Sequence, residues 1–349
     1  MTGYRILRAV IRITLRCYFR EIRTGDFSRL AQPPPKLILP NHQNALLDAL
    51  LLAAFHRGPK LYFLARADIF RGGVTRKLLA GLGLMPVYRW RDGRQGLNRN
   101  ARVFAHCARV LEQGHSLVLF PEANHNLGRR VRPLSKGFTR VLQSVSEAAP
   151  GLGVEILTVG MNYADAAGFP DGAGVYPGDP ISVPAALPGK GEDFRYLVRS
   201  VRERIAQCTT HFPDPETGAD LLRRLPGFPI MEPDWLQPAR VNAWINSGGQ
   251  ASPPPMRRRG EPAFVGRLFR LLNAPLWLPW HFGVKPRIPE PEFRSTFRYA
   301  YLLLTYPAYL VLIGVIANLA GGGWIAGLAV PTGITLLNLV YIKSGGYPT

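Results

Sequence analysis

Cysteine is nearly absent: the 349 residues hold three, Cys17, Cys107 and Cys208. Far apart and odd in number, they make neither a disulfide framework nor a paired zinc spacing, which suits a reducing cytoplasmic face. The seven histidines show no metal-ligand spacing; His115 and His125 flank one apolar run at opposite ends, and no structural metal is expected. No Gly-x-Ser-x-Gly run occurs, which removes a hydrolase-type nucleophile elbow. No fixed-period self-similarity is found, which removes a repeat architecture. Acid is scarce as well: 23 Asp and Glu against 43 Lys and Arg leave a formal net charge of +20. So basic a chain calls for an anionic partner, and nucleic acid and an anionic membrane surface are the two candidates.

The ends of the chain favour the membrane. From Tyr299 to Ile342 run 44 consecutive uncharged residues, interrupted by Gly321-Gly322-Gly323. Each half has about 20 residues, which at about 1.5 Å per residue crosses a hydrocarbon core, so the segment 298–349 reads as a transmembrane hairpin and tail. Arg294 and Arg298 before it and Lys343 after it put both ends on the cytoplasmic side. Pro307 and Pro331 leave open a buried helical pair or a re-entrant hairpin. At the other end Arg5, Arg8, Arg12, Arg16, Arg20 and Arg23 recur every three or four residues among Ile6, Leu7, Val10, Ile11, Ile13 and Leu15. Residues 1–31 are therefore expected to form a basic amphipathic helix lying flat on anionic lipid, with a helix docked on the domain as the other reading. Arginines interrupt every apolar core there, so it does not read as a cleavable signal peptide.

Between these ends, short apolar runs alternate with helical patterns. Strands are expected at 36–40, 61–65, 85–88, 116–120 and 154–161, and helices at 45–55, 75–82, 96–113, 137–148 and 193–211. Strict alternation predicts an α/β domain over 32–212, a mostly parallel sheet flanked by helices. Residues 213–262, rich in Pro, Gly, Ser and charge, read as a linker or insertion. Residues 263–297, with Trp277, Trp280 and Phe282, read as an interfacial approach to the hairpin.

Four segments place polar residues beside strand-like runs: Asn41-His42-Gln43-Asn44 leading to Asp48, Gly83 to Arg89, Phe120-Pro121-Glu122-Ala123-Asn124-His125, and Ile156 to Tyr163. An open α/β sheet delivers reactive groups to one edge in this way. A histidine with a carboxylate partner meets the requirements of a general base, although a turn and helix cap with a satisfied imidazole has the same letters. Taken in order, the four blocks resemble those of the glycerolipid acyltransferase family, which includes the bacterial lysophosphatidic acid acyltransferases, over about residues 1–212. The family motif is His-x4-Asp, but here the acid, Asp48, comes one position later and Leu47 takes its usual place. The extra residue has to be absorbed by a loop or bulge, because one residue turns a helical side chain through about 100°. In the third block Ala123, Asn124 and His125 stand where the family has Gly-Thr-Arg. Only Glu122 matches directly there; His125, Arg129 and Arg130 are candidates for the missing positive charge, and a solvated loop is the other reading.

The resemblance implies a membrane-bound enzyme that moves a fatty acyl chain from acyl-CoA or acyl carrier protein to a hydroxyl of a glycerol phosphate or lysophospholipid. His42 would be the general base and Asp48 its partner, with Asn41, Arg89, Glu122, His125, Arg129 and Lys136 binding substrate. Transfer would be direct, with no cofactor beyond the acyl donor and no metal. Membrane phospholipids, the donor and a phosphorylated acceptor are the expected partners, and nucleic acid is not. The expected location is the cytoplasmic face of the inner membrane. A phospholipid transacylase that uses no coenzyme A would share the same blocks; a non-catalytic basic scaffold would explain the charge but not the order of His42, Arg89 and Glu122.

Overall fold

The computed structural model describes residues 2–56, 58–70, 72–81, 83–88, 93–183, 192–258 and 263–344; Arg89 and Arg91 lie outside the described residues. Helix α1 (Thr2–Tyr18) leads into β1 (Glu21–Thr24). Then β2 (Lys36–Pro40), α2 (Ala45–Phe55), β3 (Leu61–Arg66), α3 (Gly73–Gly81), β4 (Leu84–Val87), α4 (Gly93–Glu112), β5 (Ser116–Val118), α5 (Gly137–Ala148) and β6 (Val154–Tyr163) alternate. Strands β7 (Gly172–Pro177) and β8 (Ile181–Val183) and helix α6 (Glu192–Cys208) complete the layer. The strands form one sheet in the order β1-β7-β6-β2-β5-β3-β4, with β8 also on β6. All pairings are parallel except those of β7 and β8 with β6. The fold is the expected mostly parallel α/β sheet with helices on both faces.

Every residue of the central strand β2 is buried, as a strand covered on both sides must be. Its side chains alternate between two cores. Ile38 joins Val118, Leu47, Leu51 and Phe19 under α1 and α2. Leu37 and Leu39 join Leu111, Phe138, Leu142 and Val201 under α4, α5 and α6. At Gly160 of β6 an added Cβ would lie 1.9 Å from the carbonyl oxygen of Cys208, so the end of α6 touches the sheet only because no side chain stands there.

Two expectations change. The basic segment is helical only to Tyr18; Glu21–Thr24 instead runs parallel to β7 as an edge strand. The helix also docks on the domain rather than offering all its arginines outward. Leu15 and Phe19 are fully buried, Arg12 donates to the Ala54 carbonyl through Nε at 2.9 Å and Nη2 at 2.6 Å, and Arg8 reaches the His56 carbonyl. These are the unpaired carbonyls that end α2, and a cation is favoured at that pole of the helix dipole. The outward face carries Ile6, Val10 and Ile13 beside exposed Arg5 and Arg16. The second concerns residues 213–262, expected to be a linker or an insertion: α7 (Pro215–Arg223), β9 (Met231–Pro233), α8 (Pro238–Asn246) and β10 (Met256–Arg258) build a small lobe, an insertion rather than a linker. Phe212, Leu221, Trp235, Val241 and Trp244 form its core, because apolar residues spaced along proline-rich sequence meet only once the chain folds back.

Helices α9 (Ala263–Leu272) and α10 (Ala274–Leu278) approach a pair of long helices, α11 (Arg294–Ala317) and α12 (Gly323–Ser344). Pro307 and Pro331 lie inside helices that continue through them. The turn between falls at Gly321 and Gly323, whose φ values of 92° and 63° suit glycine. At the crossing an added Cβ on Gly314 would lie 2.6 Å from the Gly327 carbonyl, the close approach that small residues permit. The stretch Pro291–Ser344 is long and apolar enough to cross a membrane, and only 11% of its most apolar window is buried within the protein. Two polar bolts hold it: Asn273 and Asn338 exchange amide hydrogen bonds of 2.8 and 2.9 Å, and Lys343 donates to the carbonyls of Arg16, Phe19 and Arg20 that end α1.

Candidate active site

Strands β2, β5 and β6 end at the same edge, and each delivers one component. After Pro40 the chain leaves the sheet through Asn41 to Asn44 and enters α2 at Ala45, whose φ of +39° is unusual for a residue with a Cβ. This irregular turn absorbs the extra residue of the His-x5-Asp spacing. His42 Nδ1 lies 2.7 Å from Asp48 Oδ2. Asp48 is fully buried in the first turn of α2, yet it is well compensated: the backbone N–H groups of Gln43 and Asn44 each donate to Oδ2 at 2.9 Å, and the Tyr163 hydroxyl donates to Oδ1 at 2.5 Å. With His42 these fill about four acceptor positions, the capacity of a carboxylate, and the positive end of α2 adds to them. Burial first, and then the charge of Asp48, hold the Tyr163 hydroxyl well above the usual tyrosine value, so it stays a donor.

The second component is the loop after β5. Phe120 stacks on the His42 ring with centroids 4.0 Å apart. Glu122 is buried, accepts the His42 backbone N–H at 3.4 Å, and meets Arg132 through Nη2 at 2.8 Å and backbone N–H at 3.1 Å. Arg132 is thus the cation of this block, at a position that sequence reasoning passed over among neighbouring arginines. Its signal was the carboxylate ten residues earlier, which pattern alone does not connect to it. Ala123 adopts φ +61°, the left-handed conformation that a glycine would take without a Cβ penalty.

The remaining candidates divide. His125 reaches the site: its ring meets the edge of His42 at 5.4 Å and Phe293 at 4.4 Å, and Nε2 lies 3.4 Å from Glu290 Oε2. Burial, and then His42, push His125 below the ordinary histidine value, while Glu290 opposes them. The Asn41 amide clamps the Met161 backbone, accepting at 2.6 Å and donating at 3.0 Å. Arg129 is likewise committed, donating to the carbonyls of Tyr163 and Ala164 at 2.7 Å each and stacking on Trp235. Both residues tie the edge together through backbone contacts. Arg130 is exposed, and Lys136 is exposed at the start of α5, where its carbonyl accepts from Thr139. Burial raises the thiols of Cys107 and Cys208 to about 12 and about 11, so neither is a thiolate at neutral pH. Among the described residues no group of three or more His, Cys, Asp or Glu is gathered as a metal site.

A paired imidazole and carboxylate at the carboxyl edge of a parallel sheet have the arrangement that general-base chemistry requires. The family model described as Acyltransferase matches residues 22–162 of the chain. Among solved structures, the chain is similar to the crystal structure of the 1-acyl-sn-glycerophosphate (LPA) acyltransferase PlsC from Thermotoga maritima. Identity is 13% over 58% of this chain and 80% of that one, with a TM-score of 0.41. No curated protein matches the chain.

Proposed function

We propose that the protein is a membrane-anchored O-acyltransferase that carries an acyl chain from a thioester, acyl-CoA or acyl carrier protein, to a hydroxyl of a glycerol phosphate or lysophospholipid. The observation that carries this reading is the 2.7 Å contact between His42 Nδ1 and Asp48. In this reading Nδ1–H donates to the Asp48 carboxylate, which leaves Nε2 as the base. Nε2 takes the hydroxyl proton as that oxygen attacks the thioester carbonyl; the C–O bond forms, the C–S bond breaks, and the proton passes to the leaving thiolate. Asp48 offsets the charge of the transient imidazolium. Stacking on Phe120 and the hold of Glu122 on the His42 backbone fix the ring during both steps.

Attachment to the membrane follows from the same reading. With α11 and α12 in the bilayer, the exposed apolar residues of α1 and α9 rest in the headgroup layer, and the active-site edge meets a lipid acceptor without drawing it into water. Arg132, joined to Glu122 beside the His42 backbone, would meet the acceptor phosphate, with Arg89 of the second block as its expected companion. The test is an assay of purified protein in detergent, with acyl-CoA, acyl carrier protein and phospholipid donors crossed against several lyso-acceptors. His42→Ala is expected to lower turnover by about 10²–10⁴-fold with membrane binding retained. Unchanged turnover would remove the proposed base, and transfer from a phospholipid alone would favour the transacylase.

A further inference from the structure

A second concavity lies outside the catalytic edge. Between α9 and α10, the root of α11, the end of α12 and the loop 165–170 there is a cavity of about 740 Å³, within the usual range of small-molecule sites. One part of its wall is aromatic and aliphatic, with Tyr306, Pro307, Leu303 and Leu339; another is cationic, with Arg270, Lys285, Arg294 and Arg298. Its carboxylate, Asp165, is occupied by the backbone N–H groups of Ala167 and Gly168 at 3.1 Å. Arg298 is committed to the Ala167 and Gly168 carbonyls and lies over Phe169 and Trp280. Arg294 is not satisfied: its Nε is buried with no hydrogen-bond partner. An orphaned charged donor is costly, and a bound anion would relieve it. Arg294 also opens α11, so the positive pole of that helix dipole adds to the same corner.

We infer that this cavity binds one anionic phospholipid of the surrounding bilayer, its phosphate at Arg294 and Lys285 and its chains along Tyr306, Pro307 and Leu339. The inference rests on the reading that the hairpin lies in the membrane. A free phosphate would leave the aromatic wall uncovered, and an uncharged lipid would leave the cations unanswered. Leu304, 76% exposed beside the lining Leu303, continues the apolar wall outward to where acyl chains meet the bilayer. The bound lipid would brace the hairpin against the catalytic turn through one shared atom, because the Ala166 carbonyl accepts both from Ser295 at the root of α11 and from Asn44 beside His42.

Cys17 reports occupancy, since it is exposed and lines the cavity. The full-length protein in delipidated detergent micelles is alkylated and its thermal midpoint measured, with phosphatidylglycerol, phosphatidylcholine, diacylglycerol or inorganic phosphate added. Phosphatidylglycerol at ten times its dissociation constant is expected to slow alkylation about tenfold and to raise the midpoint, the other three having little effect. Arg294→Gln and Lys285→Glu should each remove the difference between phosphatidylglycerol and phosphatidylcholine; Lys285, on a half-exposed turn, keeps the test valid if the Arg294 variant fails to fold. Equal protection by both lipids, protection by inorganic phosphate, or undiminished protection in a folded variant overturns the inference. His42→Ala retains the lipid effect, so loss of the acyltransfer reading and loss of this one are told apart.

Discussion

Helices α2 and α12 are both apolar nearly all round, and they occupy opposite environments. In α2, Leu47, Leu51 and Leu52 are fully buried; in α12, Leu336, Leu337 and Val340 are 59%, 52% and 62% exposed. A helix without a polar face has to be covered by protein or by lipid, so equal composition leads to different neighbours. Each also carries one buried polar residue, and these differ in kind. Asp48 is an acid in the first turn of α2, served by backbone N–H groups, a phenol and an imidazole. Asn338 is a neutral amide served by another neutral amide and the Tyr306 hydroxyl. A charge is affordable where a loop and a helix N-terminus supply donors; inside a helical hairpin the backbone donors are already used, and only a neutral pair is cheap.

The largest expected effect comes from making the first residue resemble the second. Asp48→Asn keeps the shape but turns an amide N–H₂ toward donors and no longer holds the proton on Nδ1 of His42; turnover should fall by about 10²–10⁴-fold, with circular dichroism unchanged. Turnover within tenfold of wild type would break the comparison at its catalytic end. Truncation tests the coverings: Leu51→Ala should cost about 2–5 kcal/mol and Leu336→Ala in detergent less than about 0.5 kcal/mol, read from unfolding curves. Equal losses would mean that the Leu336 face of α12 has a protein neighbour. The reverse exchange, Asn338→Asp, should cost about 2–3 kcal/mol by placing an acid in the hairpin, seen as a lower thermal midpoint in detergent.

A pH-dependent effect sharpens what makes Asp48 tolerable. Asp171 is a buried carboxyl in the same domain with a poorer shell: Oδ1 accepts the N–H groups of Asp165 and Gly172 at 2.7 Å each, while Oδ2 has no partner. Burial holds its pKa well above the ordinary 3.8. A raised carboxyl pKa contributes stability that is present below the unfolded value and lost as pH rises through the folded one. Asp171→Asn escapes that loss, so its stability relative to wild type should be better at pH 7 than at pH 5, by about 1.4 kcal/mol per pH unit inside the window. The same difference at both pH values would show that Asp171 does not titrate between them.

Much of this was legible in the sequence because it is periodic or local. Apolar runs five residues long, separated by helical patterns, announced β2, α2 and β6 within a residue or two at most boundaries, and His42 stood out because few residues titrate near neutrality at a strand end. The lobe of residues 212–258 was not legible, since Phe212 and Trp244 belong to one core only after two proline-rich turns bring them together. Nor was the use of Arg8 and Arg12 to end α2: an arginine stripe has the same letters whether it meets phosphate or the carbonyls of Ala54 and His56.

The amino-acid sequence by itself determined the alternating α/β layer, the place of the proposed base and the apolar length of the hairpin, because each is written in spacing and side-chain type along one stretch of chain. Tertiary structure alone decided which arginine answers Glu122, how the longer spacing still brings Asp48 to His42, and that Ala166 joins the hairpin root to the catalytic turn. Those are pairings across six to well over a hundred residues, and they are selected by the need to satisfy buried polar groups in three dimensions, which no one-dimensional pattern encodes.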